Sequence, residues 1–351
     1  MTERSIIEAA GRLRRTGEPY LVASVVCADN PGARMLLTRF RWVAGAASGG
    51  CLDGDLSRRA WWRTRDGSAL VLSYEPGAAE EEHELRAAFG LDGACGVDVL
   101  IERAGIPGRI DALEVAERCQ REQRRGAVAT IVRATTPGIR VGARVALLAG
   151  AAAVEEEADR LAPELRDELA ADMRAAIESG RPALHTRGAV DVLVEAIIPP
   201  PRLFLFGTGH DTVPIASLAK VVGWDVVVCA HEQRHATRDR FALADDVIVV
   251  ECPDDVAPRI AESERAVAVV AHHDRERDAA CIASLLPTAV RYIGTLGPVE
   301  GIPDPRIHAA AGASPAERAL ALIADIQAAL NGPASRKRAF ERPSQQLAAV
   351  S

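Results

Sequence analysis

The 351-residue sequence lacks any charge-free apolar run of 18 or more residues, so it holds no candidate membrane span. Its first residues, MTERSIIEAAGRLRRTG, mix charge with apolar positions and lack the continuous apolar core of a signal peptide. The expectation is a cytoplasmic protein. Seven cysteines, odd in number and scattered, do not make a disulfide framework. There is no CxxC and no Cys/His cluster at zinc-finger spacing. Basic residues are not in excess either. Lys and Arg total 42 against 49 Asp and Glu, a net charge of −7, without the broad basic surface that nucleic acid or an anionic membrane selects. No Ser/His/Asp constellation or paired-carboxylate site stands out. The acidic runs Glu80–Glu82 and Glu155–Glu157 read as solvated faces.

What remains is ordinary globular composition, 48% hydrophobic and 26% charged, at a length that suggests two domains. Pro199-Pro200-Pro201 cannot continue a helix or a central strand and marks the boundary. The expected division is 1–198, 199–332 and a disordered tail, 333–351, which is polar and aperiodic. Before the boundary the sequence echoes itself. Segment 20–37 resembles 127–147, and GVDVLIE (96–102) resembles GAVDVLVE (188–195). Each copy reads as strand, glycine turn, strand, helical matter and closing strand, with a charged helix over Ala153 to Ser179 in the second copy. The N-terminal region is therefore expected to be a duplicated α/β unit.

After Arg202, near-continuous apolar runs alternate with helical stretches: LFLF (203–206), VVVCA (226–230), VIVV (247–250), VAVVA (267–271) and RYIG (291–294). That pattern argues for a doubly wound parallel sheet covered on both faces. The last helix, 314–330, opens on Ser314, Pro315 and Glu317, a capping box.

Gly207-Thr208-Gly209-His210 follows the first of these strands. A Gly-x-Gly there lets backbone approach a phosphate at a helix N-terminus, or simply packs tightly. A dinucleotide reading is weakened twice. Thr212 replaces the third small residue, and Ala230 stands where an acid would hold the adenine ribose. His272-His273 follow the fourth strand, which in the order 3-2-1-4 neighbours the first. His210 and His273 would then face one crevice, with Asp274 and Asp278 behind. Earlier in the chain, Ser48-Gly49-Gly50-Cys51 lies between a strand and a helix start. Its amides suit an anion, and the helix dipole favours a Cys51 thiolate able to bind a soft metal or accept sulfur. Cys51 reads equally as a small buried residue in a tight turn. Cys95 poses the same question more weakly. Trp61 and Trp62 read as one core and one surface residue.

Taken in order, PGARMLL (31–37), ASGGCLDGDL (47–56), VDVLIE (97–102), PPPRLFLFGTGHDTVPIASLAKVVGW (199–224), ATRDRFALAD (236–245), HDRERD (273–278) and RYIGTLG (291–297) resemble the XdhC/CoxI family. These are maturation factors for xanthine dehydrogenase, CO dehydrogenase and related molybdenum hydroxylases. The resemblance implies an N-terminal XdhC/CoxI domain and a C-terminal Rossmann-like domain. It implies a binding and delivery protein without turnover of its own, which shelters sulfurated molybdenum cofactor and passes it to an apo-hydroxylase. A cysteine desulfurase supplies the sulfur, and a homodimer is expected. Ser48, Gly49, Gly50 and Cys51 correspond to the family's SGGC turn, with Cys51 a candidate molybdenum contact. Gly207, Gly209 and His210 correspond to its GxGH turn, and His273 and Asp278 to its later crevice motif. The sequence departs from the family at Ala230, at Pro298-Val299-Glu300, in the short stretch Ala309–Ala313 and around Cys95. The alternative from the residues alone is an NAD(P)-dependent oxidoreductase.

Overall fold

The computed structural model describes residues 3–27, 31–39, 41–45, 60–74, 97–157, 161–231, 238–250, 253–297 and 303–331. The expectations for Ser48, Gly49, Gly50, Cys51, Cys95, Glu80–Glu82 and the tail 333–351 fall outside them. The chain divides into two compact units, 1–200 and 201–351.

The first unit opens with α1 (Glu3–Thr16), whose Ile6, Ile7, Ala10 and Leu13 recur at helical spacing and are buried. Strands β1 (Tyr20–Cys27), β2 (Arg34–Thr38), β3 (Trp42–Gly45), β4 (Leu70–Tyr74) and β5 (Val97–Arg103) form an antiparallel sheet in the order β3-β2-β1-β5-β4. Next come α2 (Ala112–Glu122), β6 (Gly126–Ala134), β7 (Arg144–Leu148), β8 (Glu155–Glu156), α3 (Pro163–Ser179), β9 (Ala183–Arg187) and β10 (Val190–Ile197). They build a second antiparallel sheet, β8-β7-β6-β10-β9.

The two sheets have the same order, strand for strand, which is the duplication the echo predicts. Even the irregularities repeat. β1 carries an extra residue at Val26 against β5, and β6 carries one at Val132 against β10. Both bulged valines are buried in one cluster with Leu100 and Leu193, which hold equivalent places in the two VDVL segments. The helices α1 and α2 pack with residues of both sheets in a single core that includes Val22, Leu36, Val128 and Ala146.

Two expectations need correction. The helix over Ala153 to Ser179 begins only at Pro163, because Glu155 and Glu156 pair as β8 with β7. Glu157 is not on a solvated face. It is buried, accepts a hydrogen bond from Ile110 N at 3.1 Å and pairs with Arg140. Its burial raises the carboxyl pKa above the ordinary value, against the pull of Arg140.

The second unit contains β11 (Arg202–Phe206), α4 (Thr212–Val221), β12 (Asp225–Ala230), β13 (Asp246–Val249), a 3₁₀ turn leading into α5 (Ala257–Ala261), β14 (Ala266–Val270), α6 (Arg275–Leu285), β15 (Ile293–Thr295), β16 (Ile307–Ala309) and α7 (Pro315–Asn331). All its strand pairings are parallel, in the order β13-β12-β11-β14-β15-β16. Alternate strand residues feed two cores. Leu203, Leu205, Val267 and Val269 pack with α4 and α7, while Phe204, Phe206, Ala268 and Val270 pack with α6. This is a Rossmann-like doubly wound sheet, and the whole fold is mixed α/β. Glu317 N donates to Ser314 Oγ at 3.2 Å, and the Glu317 carboxylate accepts from Ala313 N and Ser314 N, closing the capping box. Among the described residues no helix is long and apolar enough to cross a membrane.

Candidate functional site

β11 has β12 on one side and β14 on the other, so the chain direction through the sheet reverses there. Open parallel sheets bind ligands beyond the carboxyl ends of strands at such a point. The loops leaving β11 and β14 carry Gly207, Gly209, His210 and His273, and Asp278 stands in the first turn of α6.

Gly207 has φ +126°, and a Cβ on it would lie 2.3 Å from the carbonyl oxygen of Ala271. Its first role is therefore to let the two loops touch. A Cβ on Gly209 would meet Asp211 Oδ1 at 2.8 Å and the ring of His273 at 3.5 Å. The second glycine thus makes room for a side-chain pair. His273 Nε2 lies 2.7 Å from Asp211 Oδ2, and the Asp211 side chain is only 8% exposed. Asp211 Oδ1 is buried without a hydrogen-bond partner among the described residues. His273 itself is in the left-handed region, φ +61°, sharing positive φ only with Gln123 among the described non-glycine residues. Such a conformation costs on the order of 1–3 kcal/mol and persists only where its surroundings fix it.

Asp278 is engaged from the same loop. One of its oxygens lies 3.0 Å from both the backbone nitrogen and the Nδ1 of His272. Asp274 caps α6, accepting from Glu276 N and Arg277 N, and those bonds hold its carboxyl below the usual range. His210 is exposed. Arg240 donates to the carbonyl oxygen of Thr208 at 2.7 Å, bringing a guanidinium to the glycine turn. Residue types alone do not point to Asp211 or Arg240 as members of this crevice. An acid directly behind Gly-x-Gly-His is the available signal for Asp211; Arg240 has none.

The chemistry on offer is imidazole, carboxylate, guanidinium and backbone amide. The Cys229 and Cys281 thiols are fully buried in the sheet core, and burial pushes the Cys229 pKa well above the ordinary thiol value. Among the described residues there is no cluster of three or more His, Cys, Asp or Glu able to hold a metal. Among the described residues the crevice presents no soft donor to a thiolate-seeking metal, and the donors described there do not by themselves fit a molybdenum centre. Ala230 ends β12 fully buried, so the place of a ribose-binding carboxylate is filled by a methyl group.

Comparison with known proteins identifies the chain. The family model of the XdhC Rossmann domain matches residues 203–320, and that of the XdhC and CoxI family matches residues 13–75. The chain belongs to the XdhC and CoxI family. The second match contains Ser48, Gly49, Gly50 and Cys51, and the first contains the whole crevice just described. A Bacillus subtilis (strain 168) protein, named as a probable xanthine dehydrogenase subunit, is 34% identical over 113 residues. The matched stretch is 32% of this chain and about one third (34%) of that relative's length. A crystal structure from Bacillus halodurans, described as a xanthine dehydrogenase, covers 97% of this chain and 98% of its own with a TM-score of 0.69. At 20% identity that likeness is one of fold.

Proposed function

We propose that this XdhC/CoxI-family chain is an accessory factor in the maturation of a molybdenum hydroxylase of the xanthine or CO dehydrogenase type. It binds molybdenum cofactor, keeps it in its sulfurated form and delivers it to the apo-hydroxylase. A cysteine desulfurase is its second partner, and it works as a homodimer without turnover of its own. The observation carrying this reading is the presence of both family segments, in order, in one chain. The name of the Bacillus subtilis relative supports the same client class.

The cofactor supplies a molybdenum centre and a phosphate-bearing pterin. The candidate metal contact is Cys51, on its correspondence to the family's SGGC segment. Ser48, Gly49 and Gly50 would offer backbone amides to the phosphate, and Gly207, Gly209 and His210 of the GxGH turn, with His273 and Asp278 of the later crevice motif, would form the second binding segment. The test is composition. Protein purified from a host rich in molybdenum cofactor should carry matched, near-stoichiometric molybdenum and oxidised-pterin fluorescence, both lost in Cys51→Ser. Absence of both after incubation with free cofactor overturns the reading. Saturable NAD(H) or NADP(H) binding would support the oxidoreductase alternative, which buried Ala230 argues against. A light-scattering mass of 37.3 kDa would reject the dimer.

A further inference from the structure

The turn between β11 and α4 carries an anion of its own. α4 is 10 residues long and begins just after the Gly-x-Gly, so its N-terminus is where the backbone of such a turn meets a phosphate. Asp211 holds the cap position of that helix, yet its side chain makes no capping hydrogen bond. The side chain is only 8% exposed, with Oδ2 lying 2.7 Å from His273 Nε2. Oδ1 has no hydrogen-bond partner among the described residues.

The second glycine shows where that charge lies. In a phosphate-binding turn this glycine leaves open the space through which the phosphate reaches the backbone. Here a Cβ built on Gly209 meets Asp211 Oδ1 at 2.8 Å, and His273 Cδ2 and Nε2 at 3.5 Å. The space beside Gly209 is thus filled by a carboxylate and an imidazole of the same chain. With the ring neutral the pair carries one negative charge; with the ring protonated it carries none. In neither state does the pair offer a phosphate a net positive charge. A cation is present all the same. Arg240 donates to Thr208 O at 2.7 Å, so a phosphate kept out here is not kept out for want of a guanidinium at the turn.

We infer that Asp211 is a specificity-determining residue of the crevice. Its carboxylate stands where a ligand phosphate would approach and keeps pyrophosphate and nucleotide phosphates out. The turn is left to uncharged or cationic groups. A phosphate against this carboxylate is a like-charge contact in a mostly buried place, where salt screens repulsion little. The inference goes beyond the cofactor reading and does not rest on it. Under that reading the phosphate goes to Ser48, Gly49 and Gly50, with which the exclusion is compatible.

The experiment is a calorimetric titration of the full chain with inorganic pyrophosphate and, separately, with ADP, at fixed ionic strength. The native chain should show no saturable binding of either up to about 1 mM. Asp211→Asn removes the charge but keeps the shape and an acceptor for His273. It should bind both probes, tighter than that limit by about tenfold or more. Asp211→Ser, a favoured cap residue without charge, should gain binding likewise and serves if asparagine is not accommodated; thermal melts check folding. His273→Ala makes room but leaves the carboxylate, and should stay silent. Gly209→Ala added to Asp211→Asn should abolish the gain, because the new methyl fills the approach to the turn. Saturable binding by the native chain, silence of both folded uncharged variants, an equal gain in His273→Ala, or a gain that survives Gly209→Ala would each overturn the assignment.

Discussion

Arg34 and Glu195 stand 161 positions apart, yet one guanidinium nitrogen of Arg34 lies 2.8 Å from both carboxylate oxygens of Glu195. Arg34 belongs to the first half of the duplicated unit and Glu195 to the second. The equivalent residues pair in the opposite sense, with Arg144 of the second half forked onto Glu102 of the first. The two half-units are thus cross-locked by a reciprocal pair of ion pairs, all four side chains about nine-tenths buried. Around Arg144, burial disfavours the charge, but Glu102 together with Asp111 and Glu195 offsets it and raises the guanidinium pKa above its ordinary value.

Breaking one lock strands a buried charge, which costs about 3–5 kcal/mol, whereas replacing both partners by apolar residues is often close to neutral. Arg144→Met should therefore lower the denaturant midpoint strongly, and Arg144→Met with Glu102→Leu should recover most of the loss. Arg34→Met should behave likewise, with Glu195→Leu as the rescuing change. Additive losses in the double variants would show that these pairs are not coupled.

Much of this architecture is legible in the sequence, for physical reasons that differ by element. The strands of the second unit announce themselves because a parallel sheet buries both faces and needs unbroken apolar runs. Ser314 and Glu317 mark a helix start because capping is a local matter. The repeat is visible because duplicated sheets need the same alternation twice. What escapes notice is whatever depends on distant pairing. Glu155–Glu156 becomes a strand only because β7 offers an edge, and Ile307–Ala309 only because β15 does. Glu157 looks solvated until Arg140 and Ile110 N close on it. At the crevice, GTGH and His273 can be picked out from residue types. Asp211 cannot, since its significance lies in the reach of His273 from another strand.

Gly207 joins the two crevice loops by having no side chain. At φ +126°, an added Cβ would sit 2.3 Å from a backbone carbonyl that cannot swing aside. Gly207→Ala should cost roughly 2–3 kcal/mol through overpacking and backbone strain. Fluorescence of Trp224, buried in this unit, reports its unfolding. Unchanged stability would mean the loops are further apart than 2.3 Å implies.

The Asp211–His273 pair should be energetically coupled. Removing the ring in His273→Ala leaves a buried carboxylate with neither oxygen bonded by a side chain among the described residues, at a cost of about 1–3 kcal/mol. Asp211→Asn in the same background should regain part of that. A double-mutant cycle gives the coupling, and a value near zero would reduce the 2.7 Å contact to coincidence.

Cys119 supplies a test at alkaline pH. It is buried beneath Gly126, whose added Cβ would stand 2.7 Å from the sulfur, and burial pushes its thiol up to about 11 from an ordinary 9.0. In native protein Cys119 should resist iodoacetamide at neutral pH and react once the chain is denatured, as mass mapping would read. The stability effect has a definite sign. Above about pH 9 the unfolded thiol releases its proton while the folded one keeps it, so the unfolded state binds fewer protons and stability falls as pH rises. The contribution is intact below about 9 and is lost as pH climbs through about 11. Cys119→Ala should flatten the fall of the denaturant midpoint across that window, leaving only the contribution of groups common to both proteins. An identical slope in the two would show that the thiol is no better shielded in the folded chain than in the unfolded one.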